Sequence, residues 1–178
     1  MTDKPAGSAP LNQMDAGASP GPAPGAVVVP ATPGGSAAET AAATLLKLEA
    51  GLRKVRSFNE LIYYAANEFR PVTRSQQACV VSCSDGGRPR IEAVSSLTLV
   101  DRSAPLIVAL EAILSRLASV HGLDTPREFE IGAFAEADDA TVRGYPLPQL
   151  LWLPFLDLNG GVLGGMLQAR AVPWTDRD

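Results

Sequence analysis

The sequence predicts an α+β domain: a mostly antiparallel sheet of about five strands with helices packed on its faces. Three observations lead there. Two helical apolar stripes come first. Paired strand patterns separated by glycine turns follow, and a third helical stripe interrupts the strand series. Alternating βαβ units are missing, which argues against a doubly wound nucleotide fold.

The elements follow in order. Ser36-Ala37-Ala38-Glu39 is a capping box, in which the serine oxygen and the glutamate carboxylate each satisfy a free N–H. Leu45, Leu48, Leu52 and Val55 then share one helical face, and Arg53, Lys54 and Arg56 gather at the end the helix dipole favours for cations. A second capping box, Ser57-Phe58-Asn59-Glu60, opens a helix with Phe58, Leu61, Ile62, Ala65 and Phe69 on one face, closed by Pro71. Gln77 to Ser84 reads as a strand, and Asp85-Gly86-Gly87 as a hairpin turn, because glycine tolerates positive φ. Arg90 to Val100 is the returning strand, with Ile91, Ala93, Ser95, Leu97 and Leu99 on one side. Asp101 or Ser103 caps a third helix with Pro105 in its first turn, and Gly122 ends it. Leu106, Leu110, Ile113, Leu114 and Leu117 form its apolar face.

Thr125 to Phe134 carries both signals. Thr125-Pro126-Arg127-Glu128 suits a helix start, whereas Phe129 and Ile131 alternating with Glu128 and Glu130 favour a short strand. Residues 135–148 read as loop with a helical turn. Gln149 to Leu158 is an apolar strand whose Pro154 belongs at an edge or bulge. Asn159-Gly160-Gly161 turns the chain into the last strand, Val162 to Ala171.

The chain has 178 residues. Residues 1–38 hold seven of the fifteen prolines, six of the sixteen glycines and only three charges, so they predict a disordered Pro/Ala/Gly-rich tail. Residues 39–178 make the domain. The net charge of −4 argues against a nucleic-acid partner. No apolar run reaches the roughly 18–20 residues of a membrane span, and no secretory signal is present, so this segment itself is expected to lie in the cytoplasm, outside the membrane.

Candidate chemistry is sparse. Cys79 and Cys83, with His121 as the one other soft ligand, fall short of a zinc set, so two free buried cysteines and no metal or cofactor are expected. Gly160-Gly161-Val162-Leu163-Gly164-Gly165 lacks the lysine and helix of a phosphate loop. Ser82, Ser84, Ser95 or Ser96 with His121 is the one route to a minor hydrolase, and no nucleophile elbow accompanies it. Glu128, Glu130, Glu136, Asp138 and Asp139 read as a solvated strand face and loop.

Several motifs in this order resemble a known family. They are Leu61 to Glu68 with Ala66-Asn67-Glu68, Ile91-Glu92-Ala93-Val94-Ser95, and Val100-Asp101-Arg102-Ser103-Ala104-Pro105. Leu151-Trp152-Leu153-Pro154 and Gly161 to Arg170 followed by Pro173-Trp174 complete the set. Together, over about residues 45–176, they resemble the GAF domain, and more narrowly the GAF-like N-terminal region of bacterial haemolysin-D-type membrane-fusion (efflux adaptor) proteins. The resemblance implies a non-enzymatic sensory or scaffolding domain, or a small-molecule-binding regulatory domain of a signalling protein. This segment is then expected to be the cytoplasmic part of a membrane-anchored parent protein. It also implies a ligand pocket between the sheet and the helical insertion, lined here by Trp152, Tyr145, Phe155, Arg143 and His121. In the family the first and last helices pack together. Pro173-Trp174-Thr175-Asp176 looks like the start of that last helix, and the domain is expected to lack the rest of it. The stripe Leu45, Leu48, Leu52, Val55 then predicts a homodimer through residues 41–56.

Overall fold

A computed structural model describes residues 37–83, 88–136 and 139–175. The tail through Ser36, Ser84, the predicted turn Asp85-Gly86-Gly87, Asp138 and Asp176 lie outside the described residues.

Five strands form one antiparallel sheet in the order β2-β1-β5-β4-β3. They are β1 (Gln77–Cys83), β2 (Pro89–Val94), β3 (Arg127–Glu130), β4 (Gln149–Leu156) and β5 (Val162–Arg170). This is the predicted α+β class. The helices are α1 (Ala37–Leu52), α2 (Phe58–Glu68), the single turn α3 (Arg70–Thr73), α4 (Pro105–His121) and the short α5 (Ala140–Arg143). Helix α1 thus starts two residues before the boundary read from composition.

Local chemistry explains the boundaries. Ser57 Oγ accepts from Glu60 N at 3.2 Å, and Glu60 reaches back to Arg56 N at 2.8 Å, one residue beyond the reciprocal bond a capping box implies. The N-cap of α4 is Ala104, with no side-chain bond; Asp101 instead accepts from the amide and hydroxyl of Ser103 in the preceding turn. Gly122 ends α4 at φ 76°, as its position predicts. Strand β2 stops six residues short of the predicted Val100. The buried Ser95 hydroxyl accepts from Ala78 N at 3.0 Å, and Ser96 turns the chain at φ 67°. Ser96 N then donates to Asn67 Oδ1 on α2, and Leu97 and Leu99 point outward, 48% and 85% exposed.

Residues 125–134 resolve into β3 followed by a 3-10 turn at Ile131–Ala133. The helical turn foreseen in 135–148 is α5, capped by Asp139, which accepts from Thr141 N and Val142 N. Pro154 lies on β4 beyond the last residue paired with β3, Trp152, so its missing N–H faces an open edge. Asp157 accepts from Asn159 N and Gly161 N, both at 2.7 Å, and closes the β4–β5 turn with Gly160 at φ 82°. Gly164 and Gly165 are required by close approach. A Cβ on Gly164 would lie 2.1 Å from Val81 O, and one on Gly165 2.5 Å from Leu153 O and from the Trp152 ring.

The two faces of the sheet are filled differently. Against α4 lies the main core, in which Leu110, Ile113, Leu114 and Leu117 meet Ile91, Leu150, Trp152 and Leu167. On the other face α2 packs over β1 and β2 with a small core of Ala65, Ala66, Val80 and Ala93. A five-stranded sheet is about 20 Å wide and helices pack about 10 Å apart, so each face has room for two helices side by side. On this face α2 fills one place, over β1 and β2.

Candidate functional site

The unfilled part of the α2 face is an apolar trough of about 360 Å³. Its near wall is α2, presenting Phe58, Leu61, Ile62, Ala65 and Phe69. These are the five residues whose spacing predicted one helical face. Ile62 and Phe69 reach the small core, whereas Phe58 and Leu61 stay 65% and 40% exposed. The floor is Val80 on β1 and Met166 on β5, paired in register, and the far rim is Phe155 on β4 with Leu163 on β5. Leu52, at the end of α1, closes one end.

The polar groups at the trough are Ser82 and Glu92. Ser82 Oγ donates to Glu92 Oε1 at 2.7 Å, and Arg102 donates to Glu92 Oε2 at 2.8 Å. Partial burial alone raises the Glu92 pKa; the Ser82 and Arg102 hydrogen bonds and the nearby Arg102 and Arg90 charges outweigh it and hold the carboxyl below its ordinary value. The trough therefore offers an apolar surface with one ion-paired polar corner, Glu92 with Arg102 and Arg90. That chemistry suits burial of aliphatic or aromatic groups.

The α4 side differs in chemistry: a cleft of about 480 Å³ there is lined in part by Ser103, Arg116, Glu136 and Asp139 and is far more polar than the trough, while the core beneath α4 is filled. Trp152 is fully buried and its Nε1 donates to Leu123 O at 2.9 Å. Burial pushes the Cys79 thiol up to about 12, so it stays protonated at neutral pH and is a poor nucleophile or ligand. Tyr145 is pushed up by burial first, and by the neighbouring Cys79 second, with its hydroxyl donating to Gln77 Oε1. Cys83 is half-buried, also raised by desolvation, and unpaired with Cys79.

No protein-family model matches the chain, and no curated protein matches it. Solved structures do. One is the GAF domain of a phosphoenolpyruvate-protein phosphotransferase from Coxiella burnetii, at 10% identity and TM-score 0.54, covering 79% of this chain and 84% of that one. Another is the GAF domain of an Acinetobacter phosphoenolpyruvate-protein phosphotransferase, at 10% identity and TM-score 0.51, covering 76% and 79%.

The fold is GAF-like.

On this GAF-like sheet the five residues proposed to line a pocket do not converge. Trp152 is sealed in the α4-side core, and Tyr145 packs at its margin. His121 is exposed at the end of α4, its ring edge-on to Phe134 at 5.8 Å, and Arg143 is exposed at the end of α5. Phe155 lies on the opposite face, in the trough. The cause is strand alternation: Trp152 and Phe155 are three apart on β4, and odd spacings point to opposite faces. The acidic residues also disperse. Glu136 pairs with Arg116, Asp139 caps α5, and Glu128 accepts from Trp174 N at 2.9 Å. Among the described residues no group of three or more candidate metal ligands occurs.

The predicted start of a last helix is irregular chain through Thr175. Arg170 sits 4.3 Å over the Trp174 ring, and Trp174 Nε1 donates to Thr73 O at 2.8 Å. In the first-helix stripe, Leu48 is 5% exposed and already packed, and the α1–α2 contact is fixed by Tyr64 donating to Leu48 O at 3.1 Å. Gly51 makes room for that tyrosine. Leu45 remains 54% exposed.

Proposed function

We propose that this chain is a non-catalytic, GAF-like regulatory domain that works by binding at the α2-side trough. The observation that carries the reading is the trough itself. Its volume falls in the range of small-molecule and peptide-docking clefts, its lining is apolar, and its one carboxylate is ion-paired with Arg102 and Arg90. Occupancy has a route outward: Leu52 ends α1 and Phe58 begins α2, so a filled trough biases the angle between these helices. The sensory role follows the GAF-like fold. The finer context, a cytoplasmic domain of a membrane-fusion (efflux adaptor) protein, is part of the proposal and rests on the sequence resemblance.

The absence of catalysis in this reading is supported by the hydroxyls. Ser82 Oγ is committed to Glu92, and Ser95 Oγ accepts from a buried amide, while His121 stands at the far end of α4.

Titration of the full chain at about 1 μM with 1-anilinonaphthalene-8-sulfonate, an anionic dye whose aromatic rings fluoresce on apolar surfaces, tests the reading, at a concentration low enough to dissociate a weak dimer. Saturable binding of one dye per chain, lost in Leu61→Asp with the fold retained by circular dichroism, is the expected result. No binding, or binding indifferent to Leu61→Asp, overturns it.

A further inference from the structure

We infer that the trough binds a linear aliphatic carboxylate, its head at Arg90 and its chain laid across the sheet toward Phe155. This rests on the trough being the working surface and names its ligand class. The argument starts from the two ends. The lining runs from Glu92 on β2, over Ser82 and Val80 on β1 and Met166 on β5, to Phe155 on β4. These strands are neighbours in the order β2-β1-β5-β4. Three strand spacings make about 14 Å. The polar groups stand at the β2 end of this path, and its continuation over Val80, Met166, Leu163 and Phe155 is apolar. An extended chain advances about 1.2 Å per bond, so the span takes about twelve carbons.

Charge sets the head. Arg90 is paired in register with Ser82, and paired residues of an antiparallel ladder face the same side, so Arg90 stands on the trough side of the sheet. Its Nε lies 3.7 Å from Glu92 Oε1, beyond hydrogen-bond distance, and the side chain is 59% exposed. Arg102 is committed to Ile91 O and Glu92 Oε2. Two guanidinium groups against one carboxylate leave a single positive charge at this corner. A carboxylate matches it. A phosphate monoester carries about −1.5 to −2 and would set its excess charge against Glu92. The direction is fixed as well, because a carboxylate at the Phe155 end would meet apolar groups and no partner.

Displacement of 1-anilinonaphthalene-8-sulfonate from the full chain at about 1 μM tests the inference, with straight-chain carboxylates from hexanoate to tetradecanoate. Affinity is expected to rise about fourfold per methylene and to level off beyond dodecanoate. Arg90→Gln is expected to weaken decanoate about tenfold and to leave decanol unchanged, after correction for the variant's own dye affinity. Arg90 is exposed, and circular dichroism checks that the variant stays folded. Dye held against every carboxylate, an affinity flat with chain length, or decanol or decyl phosphate binding more tightly than decanoate overturns the inference. So does an Arg90→Gln chain that loses acid and alcohol alike, or neither. Dye binding itself separates the two failures. A chain that binds dye and releases it to no carboxylate loses this ligand and keeps the trough as its binding surface. A chain that binds no dye loses both.

Discussion

The two faces of the sheet use similar residues to opposite ends. Against α4, leucine, isoleucine and tryptophan interlock until Ile91, Leu114, Leu150 and Trp152 have no exposure. Against α2, leucine and phenylalanine of the same kind stand 40–65% exposed around a trough. The difference is coverage, not composition. Helix α4 has seventeen residues and is helped by the 3-10 turn and α5, whereas α2 has eleven and packs over two strands. Apolar content alone therefore does not tell a core from a docking surface; the ratio of sheet area to helix area does.

Substitutions on the two faces should differ in cost. The largest lies in the filled face. Trp152→Ala removes a fully buried ring and its bond to Leu123 O, and Gly165→Val forces atoms into that ring and a backbone carbonyl. The first is expected to cost about 3–5 kcal/mol in urea unfolding and the second about 1–3 kcal/mol. A loss under about 1 kcal/mol shows the α4 side to be loose.

The next is pH dependence of that same face. Cys79 is raised by burial to about 12 in the folded chain, and Tyr145 is also raised. Raised acids hold their protons when folded and release them when unfolded. Their contribution is complete below the ordinary thiol pKa near 9 and is lost as pH rises from there toward 12. Wild type should therefore lose stability above pH ~9 more steeply than Cys79→Ala, by up to about 1.4 kcal/mol per pH unit. Equal slopes would place the thiol in water.

A smaller effect tests the hinge between α1 and α2. Glycine-to-alanine within a helix normally stabilises by about 1 kcal/mol, but a Cβ on Gly51 would sit 2.0 Å from the Tyr64 hydroxyl. Gly51→Ala should therefore give no gain, and should speed amide exchange in α1 relative to wild type. A full gain in melting midpoint would show that Tyr64 swings away freely. The smallest effect belongs to the open face: Leu163→Asp should change stability by less than about 0.5 kcal/mol in dilute protein. A loss as large as that of Trp152→Ala would make the trough part of the core.

Much of this was legible in the sequence, and the misses have local causes. Strands β1, β4 and β5 and helices α2 and α4 announced themselves through period and punctuation. The early end of β2 did not, because Ser95 and Ser96 read as ordinary strand residues until a buried hydroxyl accepts from Ala78 N and a positive φ turns the chain. The candidate site was misread through one strand: Trp152, Tyr145 and Phe155 cluster in sequence, yet alternation sends Phe155 to the other face. A signal for the true trough was present. The stripe of α2 carries two bulky residues, Phe58 and Leu61, beyond those that reach the small core, Ile62, Ala65 and Phe69.

In the proposed function, binding belongs to the α2 face and not to the α4 face. Met166 on the trough floor and Ile113 in the α4-side core carry methyl groups that report on each face. Methyl chemical shifts during titration with 1-anilinonaphthalene-8-sulfonate in dilute protein test it most directly. The Met166 methyl is expected to move in step with dye binding while that of Ile113 stays fixed. Movement of Ile113 with Met166 unchanged would contradict it.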